Sequence, residues 1–413
     1  MSSQTRAAEA IAECRSLATI SEEPGRITRR FLTPPVAQIH QHLRQRMERL
    51  GMQVTLDAAG NLHGLWQPAG ASKRIAIGSH IDTVPDAGPF DGLLGIILAL
   101  HLVADAHTNS VPIAIEVIAF SEEEGVRFGV PFLGSRAVAG RFDPALLELT
   151  DPAGISIRQA ISDFGLDPAE IDDALISEDA VGFLELHIEQ GPVLDSELLS
   201  VAVVSGIVGQ TRCELTFSGQ ANHAGTTPMA LRQDALAAAA EWIVFVEAFA
   251  SETEELTATV GSITASPNTG NVIPGFVVVS LDVRHARDSV RQEAVESLLN
   301  QAQCIASRRR INSESRYLME QPAVPMDEEL TALLAESIEA AGLPERRIAS
   351  GAGHDAMVMA TRLPTAMLFL RSPGGVSHHP AETVLESDVE TALVVGSLFL
   401  RRLSARHAQK TLL

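Results

Sequence analysis

A strand–helix–strand pattern constrains the fold of this chain more than any other feature of its sequence. Residues 74–78 and 113–120 are almost wholly apolar and of strand length, and residues 93–103 between them form an apolar run of helix length. Strands that are buried on both faces have continuous apolar runs, and their alternation with helices is typical of parallel sheets. The sequence therefore predicts an α/β fold with a mixed, largely parallel sheet flanked by helices.

The character of the sequence changes after Gly209. Residues 211–218 alternate between apolar and polar side chains, as in a half-exposed strand, and residues 276–283 predict another strand. Between them, four apolar residues recur at helical spacing and predict the buried face of a long helix: Leu236, Ala240, Ile243 and Val246. This segment therefore has the pattern of a small α/β domain of its own.

The first pattern resumes at Met326, with a buried strand expected at residues 364–370. A chain of 413 residues also exceeds what a single hydrophobic core usually supports. We predict a catalytic domain formed by residues 1–209 and 326–413. Residues 210–325 are predicted to form a smaller α/β domain inserted into it.

Charge and cysteine content limit the partners and the compartment. The net charge is −21, which repels the phosphate backbone, so nucleic acid is not an expected partner. Cys14, Cys213 and Cys304 are odd in number and far apart, which favours a reducing compartment. The N-terminus has no secretory pattern and the longest apolar run, residues 93–106, is too short to span a bilayer. We expect a cytoplasmic protein without membrane contact.

Polar residues suited to chemistry follow the first predicted strand, in the segment GSHIDTVPDAGPFDG. The carboxyl ends of such strands are where α/β folds place ligands. His80 and Asp82 are two residues apart, so Asp82 could fix the imidazole tautomer while the other ring nitrogen binds a metal, and Asp91 follows close by. Taken alone, a His-x-Asp pair is more often a surface pair than a metal site.

Three adjacent acids follow the second predicted strand. Glu122, Glu123 and Glu124 would ordinarily form a solvated turn. Carboxylates directly after a buried strand, however, are costly unless a cation or a proton neutralises them. One of these acids could ligate a metal while its neighbour handles a proton.

Two further histidine segments add imidazole ligands. In VGFLELHIEQ, the alternation places Glu185, His187 and Glu189 on one face. In GGVSHHPAE, His378 follows a glycine turn after a buried strand. Each histidine alone is more often structural than catalytic.

Nine segments in this order resemble the hydantoinase/carbamoylase branch of the M20 metallopeptidase family: GSHIDTV, FDG, EEEGVRF, LELHIEQGPVL, GQANHAGTTPM, PNTGNVIPG, DVRH, SGAGHDA and GGVSHHPAE. The resemblance extends from about Ser16 to Glu386. It implies an amidohydrolase with two divalent metal ions per subunit that cleaves a ureido (N-carbamoyl) or related amide bond of a small carboxylated substrate. Zinc and manganese are the first expectations for the ions, and cobalt and nickel also suit mixed imidazole and carboxylate ligands.

The resemblance also implies roles for individual residues. One metal is expected at His80, Asp91 and His187 and the other at Asp91, Glu124 and His378, with Asp91 as the bridge. Glu123 corresponds to the general base, Asp82 to an acid that supports the ligands, and His223 to a group from a partner subunit that stabilises the oxyanion. The residues that correspond to substrate contacts are Gln190, His223, Asn271, Arg284 and His354. A homodimer formed through the smaller lid domain is therefore implied.

Three alternatives stay open at this point. Allantoate is the first choice of substrate, because PNTGNVIPG and EEEGVRF are most similar to allantoate amidohydrolases. An N-carbamoyl-L-amino-acid hydrolase or a β-ureidopropionase would use the same ligands. A binding protein that has lost catalysis is the alternative from another class, and the presence of all five ligands together with Glu123 argues against it.

Overall fold

A computed structural model of the chain describes the backbone of residues 3–411 and the side chains of residues 3–408. The described residues form two compact units. The first contains the residues up to Ser205 and from Met326 onward, and the second is Gly206–Pro325. Each unit has a sheet and a hydrophobic core of its own.

The elements are numbered in chain order. The helices are α1 (Ser3–Leu17), α2 (Pro34–Arg49), α3 (Leu93–Thr108), α4 (Leu133–Val138), α5 (Ile157–Asp163), α6 (Val193–Glu197), α7 (Ala235–Glu252), α8 (Asp288–Arg308), α9 (Glu328–Ala340), α10 (Asp355–Met359) and α11 (Glu386–Thr411). The strands are β1 (Gln53–Leu56), β2 (Leu62–Trp66), β3 (Arg74–His80), β4 (Ala114–Phe120), β5 (Ala180–Ile188), β6 (Val201–Ile207), β7 (Gly209–Ser218), β8 (Asn222–His223), β9 (Thr257–Thr259), β10 (Ile263–Ser266), β11 (Val272–Ile273), β12 (Phe276–His285), β13 (Asn312–Gln321), β14 (Val324–Pro325), β15 (Arg347–Ser350) and β16 (Thr365–Leu370).

The first unit is built on a mixed sheet with the strand order β1-β2-β4-β3-β5-β16-β6, and β15 pairs with β6. Its four central strands, β4, β3, β5 and β16, are parallel. The outer pairs β1–β2, β2–β4 and β16–β6 are antiparallel. The predicted α/β class with a largely parallel sheet flanked by helices is confirmed.

Continuous apolar runs explain why the central strands are buried. All seven residues of β4 are buried, and its single acid, Glu116, is bonded by Arg74 and His63. The helix α3 is apolar on nearly every side and lies in the main core together with residues of α1, α2, α9 and α11. A helix of this kind is stable only when it is surrounded by other elements.

The parallel strands determine where the site can form. Because β3, β4, β5 and β16 run in one direction, their carboxyl ends meet at one edge of the sheet. The ends of these strands and the four segments that follow them contain most of the residues predicted to be functional. These are the segments after His80, Phe120, Ile188 and Leu370.

The second unit has an antiparallel sheet with the strand order β10-β12-β7-β13, and β9 pairs with β12. Its core joins the sheet to α7 and α8. Two short strands, β8 and β11, form a separate antiparallel pair.

The predicted buried face of α7 is right in its second half, where Val246 is buried and Ile243 packs against the core, and wrong in its first half. Its buried residues are Ala235, Ala238, Ala239, Trp242 and Val246, whereas Leu236 and Ala240 are exposed. Trp242 fixes the rotation of the helix, since its indole N–H donates to the carbonyl of Leu298 on α8 at 2.8 Å. The helix is apolar on most of its surface, so spacing alone did not identify the packed side.

No helix in the described part of the chain combines the length and apolar character needed to cross a membrane.

Candidate metal centre

His80 is the last residue of β3, and the backbone fixes its tautomer. Its Nδ1 lies 3.0 Å from the backbone carbonyl oxygen of Asp82. A carbonyl oxygen can only accept, so Nδ1 carries the proton and Nε2 presents its lone pair. The sequence predicted that the Asp82 carboxylate would orient this ring, but its Oδ1 is farther away, at 3.4 Å.

His187, on β5, is oriented in the same way. Its Nδ1 lies 2.9 Å from the carbonyl oxygen of Ile188, so its Nε2 is also an acceptor. The two Nε2 atoms of His80 and His187 face each other at 3.4 Å, and both rings are almost fully buried. Two buried lone pairs at this distance repel each other unless a proton or a metal cation lies between them.

Asp91 connects the two halves of the cluster. One carboxylate oxygen, Oδ1, lies 3.4 Å from His187 Nε2, and the other, Oδ2, lies 3.2 Å from His378 Nε2. Oδ2 is buried, and no group in the described residues donates a well-directed hydrogen bond to it. The next residue, Gly92, has a positive φ of 64°, and a Cβ there would lie 2.5 Å from the His80 ring. Asp91 can approach the histidines closely because glycine follows it.

The carboxylate of Asp82 acts mainly on the acidic turn after β4. Its two oxygens accept the backbone N–H groups of Glu123 at 3.0 Å and Glu124 at 3.1 Å. Asn61 holds the start of the same turn, because its Oδ1 accepts the N–H of Ser121 at 3.0 Å. These bonds aim Glu123 and Glu124 into the cluster. Oε1 of Glu124 is another buried oxygen without a hydrogen-bond partner.

Two residues of the cluster have strained backbones. Gln190 and His378 have positive φ angles of 58° and 55°, which is uncommon for residues other than glycine. Gln190 donates from Nε2 to Asp91 Oδ1 at 2.9 Å and lies 3.3 Å from His378 Nε2. Its backbone N–H donates to Ser372 Oγ at 3.0 Å. The left-handed conformation therefore turns Gln190 back towards Asp91.

Four groups of side chains in the described residues could hold a metal ion; Glu185, His187 and His354 form one, and His80, Glu123 and Glu124 form another. The other two groups share Asp91. The first is His80, Asp91 and His187, and the second is Asp91, Glu124 and His378; within each, the candidate ligand atoms lie within 4.8 Å of one another. Asp91 belongs to both. Imidazole and carboxylate donors suit divalent transition metals. The unpartnered oxygens of Asp91 and Glu124 and the facing imidazoles fit a pair of ions that share Asp91.

The pKa shifts show that the cluster lacks positive charge. Burial raises the pKa of Glu123, and it raises that of Glu124 to about 7 although the charge of His80 opposes it. Burial alone would lower the pKa of His80, but Asp82, Glu123 and Asp91 raise it well above its usual value. Burial lowers the pKa of His187 to about 4, so this ring is neutral and able to act as a ligand. Bound cations would supply the charge that these groups otherwise take up as protons.

His354 lies next to the cluster, at the N-cap of α10. Its ring packs against His187 with centroids 4.5 Å apart, and its Nε2 lies 3.0 Å from Ser350 Oγ. Burial and the neighbouring His187 lower the pKa of His354 well below its usual value. A neutral imidazole here can donate or accept one hydrogen bond at the edge of the cluster.

Glu185 and Glu189, the two acids that the sequence placed beside His187, make different contacts. Glu185 is fully buried, and its oxygens accept the Ser79 hydroxyl at 3.1 Å and the Ala356 N–H at 2.8 Å. Glu189 accepts the N–H groups of Val193 and Leu194 at the start of α6. The alternation in VGFLELHIEQ suggested that both acids accompany His187. Glu185 does, since it forms a candidate ligand group with His187 and His354. Glu189 follows the end of β5 and bonds to the start of α6 instead.

The remaining predicted residues lie in the second unit. His223 on β8 and Asn271, beside β11, are brought together, since the N–H of Ala224 donates to the carbonyl of Asn271 at 2.9 Å and Val272 pairs with His223. Both residues are exposed. Arg284 on β12 forms a two-bond pair with Asp282, from Nε at 2.9 Å and from Nη2 at 3.1 Å. Asp282 also accepts from Arg212 at 2.9 Å.

Similar proteins identify the family of this chain. It belongs to peptidase family M20/M25/M40, and the model of that family matches residues 76–402. It is 37% identical to allantoate deiminase 2 of Glycine max over 96% of this chain and 89% of that protein. It is 36% identical to N-carbamoyl-L-amino acid amidohydrolase of Geobacillus stearothermophilus over 90% of this chain and 92% of that protein.

A solved structure is similar over almost the whole chain. It is an amidase of the hydantoinase/carbamoylase family from Burkholderia multivorans, with a TM-score of 0.90 and 30% identity, covering 96% of this chain and 97% of that one. The predicted resemblance to the hydantoinase/carbamoylase branch is thereby confirmed. The relatives named above are amidohydrolases and deiminases, so the predicted class, a hydrolase of carbon–nitrogen bonds, is the class to which they belong.

Proposed function

We propose that this protein is a dinuclear metal amidohydrolase that cleaves a ureido bond of a small carboxylated substrate, with allantoate as the first candidate. The observation that carries the proposal is the pair of carbonyl-fixed imidazoles, His80 and His187, whose lone pairs face each other beside a shared Asp91. We assign one ion to these three residues and the other to Asp91, Glu124 and His378. A protein that had lost catalysis would have no need for such a cluster.

Two bound divalent cations would polarise the substrate carbonyl and lower the pKa of a water molecule between them. Glu123 is proposed as the general base that takes a proton from this water and returns it to the leaving nitrogen. Its position supports this role. The Asp82 carboxylate accepts the backbone N–H of Glu123, and the carboxylate of Glu123 forms a candidate ligand group with His80 and Glu124. Asp82 is proposed to support the ligands by fixing the acidic turn.

The substrate contacts are proposed in both units. Gln190 and His354 are assigned to the reacting end of the substrate, since both lie against the candidate ligands. Asn271 and Arg284 are assigned to the carboxylate, for which the planar guanidinium of Arg284 suits two parallel hydrogen bonds. His223 is assigned to the developing oxyanion of a partner subunit's site. The unit 206–325 would then act as a lid and mediate formation of a homodimer.

The relatives support two substrates to nearly the same degree. Allantoate is favoured by the 37% identity to allantoate deiminase 2, and N-carbamoyl-L-amino acids by the 36% identity to the Geobacillus stearothermophilus enzyme. The three cysteines are free, which supports a cytoplasmic location for the enzyme. Zinc or manganese is the proposed metal.

One experiment tests the function. Chelator-treated protein is reconstituted with Zn²⁺, Mn²⁺, Co²⁺ or Ni²⁺, and ammonia release is measured from allantoate beside a panel of N-carbamoyl amino acids. We expect activity only after reconstitution and the highest kcat/KM with allantoate. A higher kcat/KM with an N-carbamoyl-L-amino acid would replace the first candidate by the second. Absence of turnover with every substrate and metal would contradict the enzyme assignment.

A further inference from the structure

The proposed second ion depends on two segments that are far apart in the chain. Asp91 follows β3 and His378 follows β16, and each contributes a candidate ligand to the group Asp91, Glu124 and His378. His378 is 48% exposed and has a strained backbone, so burial alone does not hold it in place. A specific contact must fix the His378 segment against the Asp91 segment.

Glu382 makes this contact. Its Oε1 accepts two backbone N–H groups of the Asp91 segment, from Phe90 at 2.8 Å and from Asp91 at 3.0 Å, across 291 residues of chain in the case of Asp91. Its Oε2 accepts the hydroxyl of Ser377, the residue before His378, at 3.2 Å. The side chain of Glu382 thus joins the backbone of one ligand to the neighbour of another.

The surroundings of Glu382 are shaped to hold it. Glu382 is 4% exposed. A Cβ at Gly88 would lie 2.3 Å from the Cβ of Glu382, so the Asp91 segment packs closely against this side chain. Its backbone is fixed as well, because its N–H donates to the carbonyl of His379 at 3.0 Å. Nδ1 of His379 accepts the backbone N–H of Ala381 at 3.1 Å, which completes this turn.

Glu382 is not itself placed as a ligand. Both of its oxygens are engaged in hydrogen bonds, and it belongs to none of the candidate ligand groups in the described part of the chain. Hydrogen bonds from backbone N–H groups to a carboxylate are among the stronger ones in proteins. Two such bonds, together with the bond from the Ser377 hydroxyl, give this one buried side chain the means to set the distance between the two segments.

We propose that Glu382 is a positioning residue that fixes Asp91 and His378 at the spacing required by the second metal ion. The inference rests on the proposed two-ion function and specifies how this chain holds one of those ions. Loss of Glu382 should weaken the ion of the group that contains His378 more than the ion held by His80 and His187. Outer partners of metal ligands typically contribute about 10–100-fold to metal affinity.

The test measures Zn²⁺ binding to the full chain after chelator treatment, by titration against a competing indicator. Wild type should bind two ions. Glu382→Ala should bind one ion with nearly unchanged affinity and the other about 10–100-fold more weakly. Glu382→Gln keeps an oxygen for the Phe90 and Asp91 N–H groups and should lie between wild type and the alanine variant, which is a rescue that a general packing defect would not show.

A double-mutant cycle with His378→Ala separates positioning from stability. If Glu382 acts through His378 and Asp91, Glu382→Ala should weaken Zn²⁺ binding less in the His378→Ala background than in wild type. Asp327→Ala serves as the matched control, since Asp327 also accepts a backbone N–H, from Leu330 at 2.9 Å, but at the start of α9. It should lower the thermal midpoint and leave both Zn²⁺ affinities unchanged.

Each outcome decides the question. Two Zn²⁺ ions bound to folded Glu382→Ala with wild-type affinities would overturn the role of Glu382 and leave the two-ion function intact. A wild-type chain that binds no ion would instead overturn the proposed function. If Glu382→Ala does not fold, Ser377→Ala removes only the bond at Oε2, and unchanged affinity for the second ion in that variant would overturn the proposal.

Discussion

Three proposed ligands of the first unit and the proposed substrate residues of the second unit are held in opposite ways. In the first unit, His80, Asp91 and His187 are almost fully buried, and backbone carbonyls fix the two rings. In the second unit, His223 and Asn271 are exposed and the side chain of Arg284 is 32% exposed. A buried polar cluster must be matched by charge or hydrogen bonds within its own fold. Exposed polar residues can bond to water and need no compensating partner within the fold, so their function depends on the substrate or protein that binds to them.

This difference predicts which substitutions change chemistry and which change binding. Variants in the buried cluster should reduce kcat or metal content, whereas variants of the exposed set should act through the substrate or the partner subunit. The predictions below test this separation.

The largest effect is expected at Glu123. Glu123→Gln should reduce kcat by about 10²–10⁴-fold, because an amide cannot take up the proton of the attacking water, while metal content stays at the wild-type value. Steady-state kinetics and metal analysis on the same sample measure both quantities.

Glu122→Gln is the matched control for this variant. Glu122 is 1% exposed in the same turn and belongs to none of the candidate ligand groups among the described residues, so the substitution perturbs the turn without removing the proposed base or a ligand. Its kcat should stay close to wild type. Equal losses in the two variants would show that the acidic turn, and not Glu123 itself, had been damaged.

His223 tests whether the exposed set needs a second copy of the chain. His223→Ala should reduce kcat by about 10²–10³-fold if the ring stabilises an oxyanion. Mixing equal amounts of His223→Ala and Glu123→Gln subunits should restore roughly a quarter of the activity, since half of the dimers would be mixed and each would hold one intact site. Failure to regain activity after verified subunit exchange would place His223 in its own subunit's site or outside catalysis.

Arg284 should affect substrate affinity rather than the chemical step. Arg284→Ala should raise KM by a factor that corresponds to about 1.5–3 kcal/mol, the usual contribution of a hydrogen bond to a charged group, with a smaller change in kcat. Arg212→Ala is the matched control, because Arg212 donates to the same Asp282. An unchanged KM in Arg284→Ala would remove this residue from the substrate site.

The last prediction concerns stability and not activity, at a buried group without a catalytic role. His40 in α2 is 5% exposed and neither ring nitrogen has a hydrogen-bond partner, and burial lowers its pKa from 6.5 to about 4. Between these two values the unfolded chain binds a proton that the folded chain excludes, so stability falls as the pH drops from 6.5 towards 4. The shift corresponds to about 3 kcal/mol.

His40→Leu removes this linkage and should flatten the acid side of the stability profile. Urea unfolding of chelator-treated protein between pH 4 and 7 measures the effect without a contribution from metal release. A profile as steep as that of wild type would show that other groups cause the loss of stability.

Much of the first unit could be predicted from the sequence. The apolar runs identified β3, β4 and α3, and the polar residues after each strand indicated that His80, Asp91 and the acidic turn 122–124 lie close together, because parallel strands end at one edge of a sheet. The choice of Glu124 within that turn came from the resemblance to the family. Glu185 and Glu382 were not assigned a role. Both are acids within the motifs, which could have drawn attention to them. Their partners, however, are backbone N–H groups of distant segments, and no local sequence pattern reveals such a contact.

The second unit was harder to predict for a physical reason. The helix α7 is apolar on most of its surface, so its packed face was decided by the contact of Trp242 with Leu298 and not by periodicity. Arg284 lies on β12, one residue beyond the predicted strand 276–283, and its pairing with Asp282 depends on side-chain directions within the sheet.

The sequence by itself determined the α/β class, the order of the elements and the kinds of ligand, because apolar periodicity and residue type act locally. Only the tertiary structure decided how those ligands are aimed. The carbonyls of Asp82 and Ile188 set the tautomers, Gly92 admits Asp91 to the cluster, and Glu382 joins it to the His378 segment. These contacts join groups whose positions are fixed only when the strands and loops have packed.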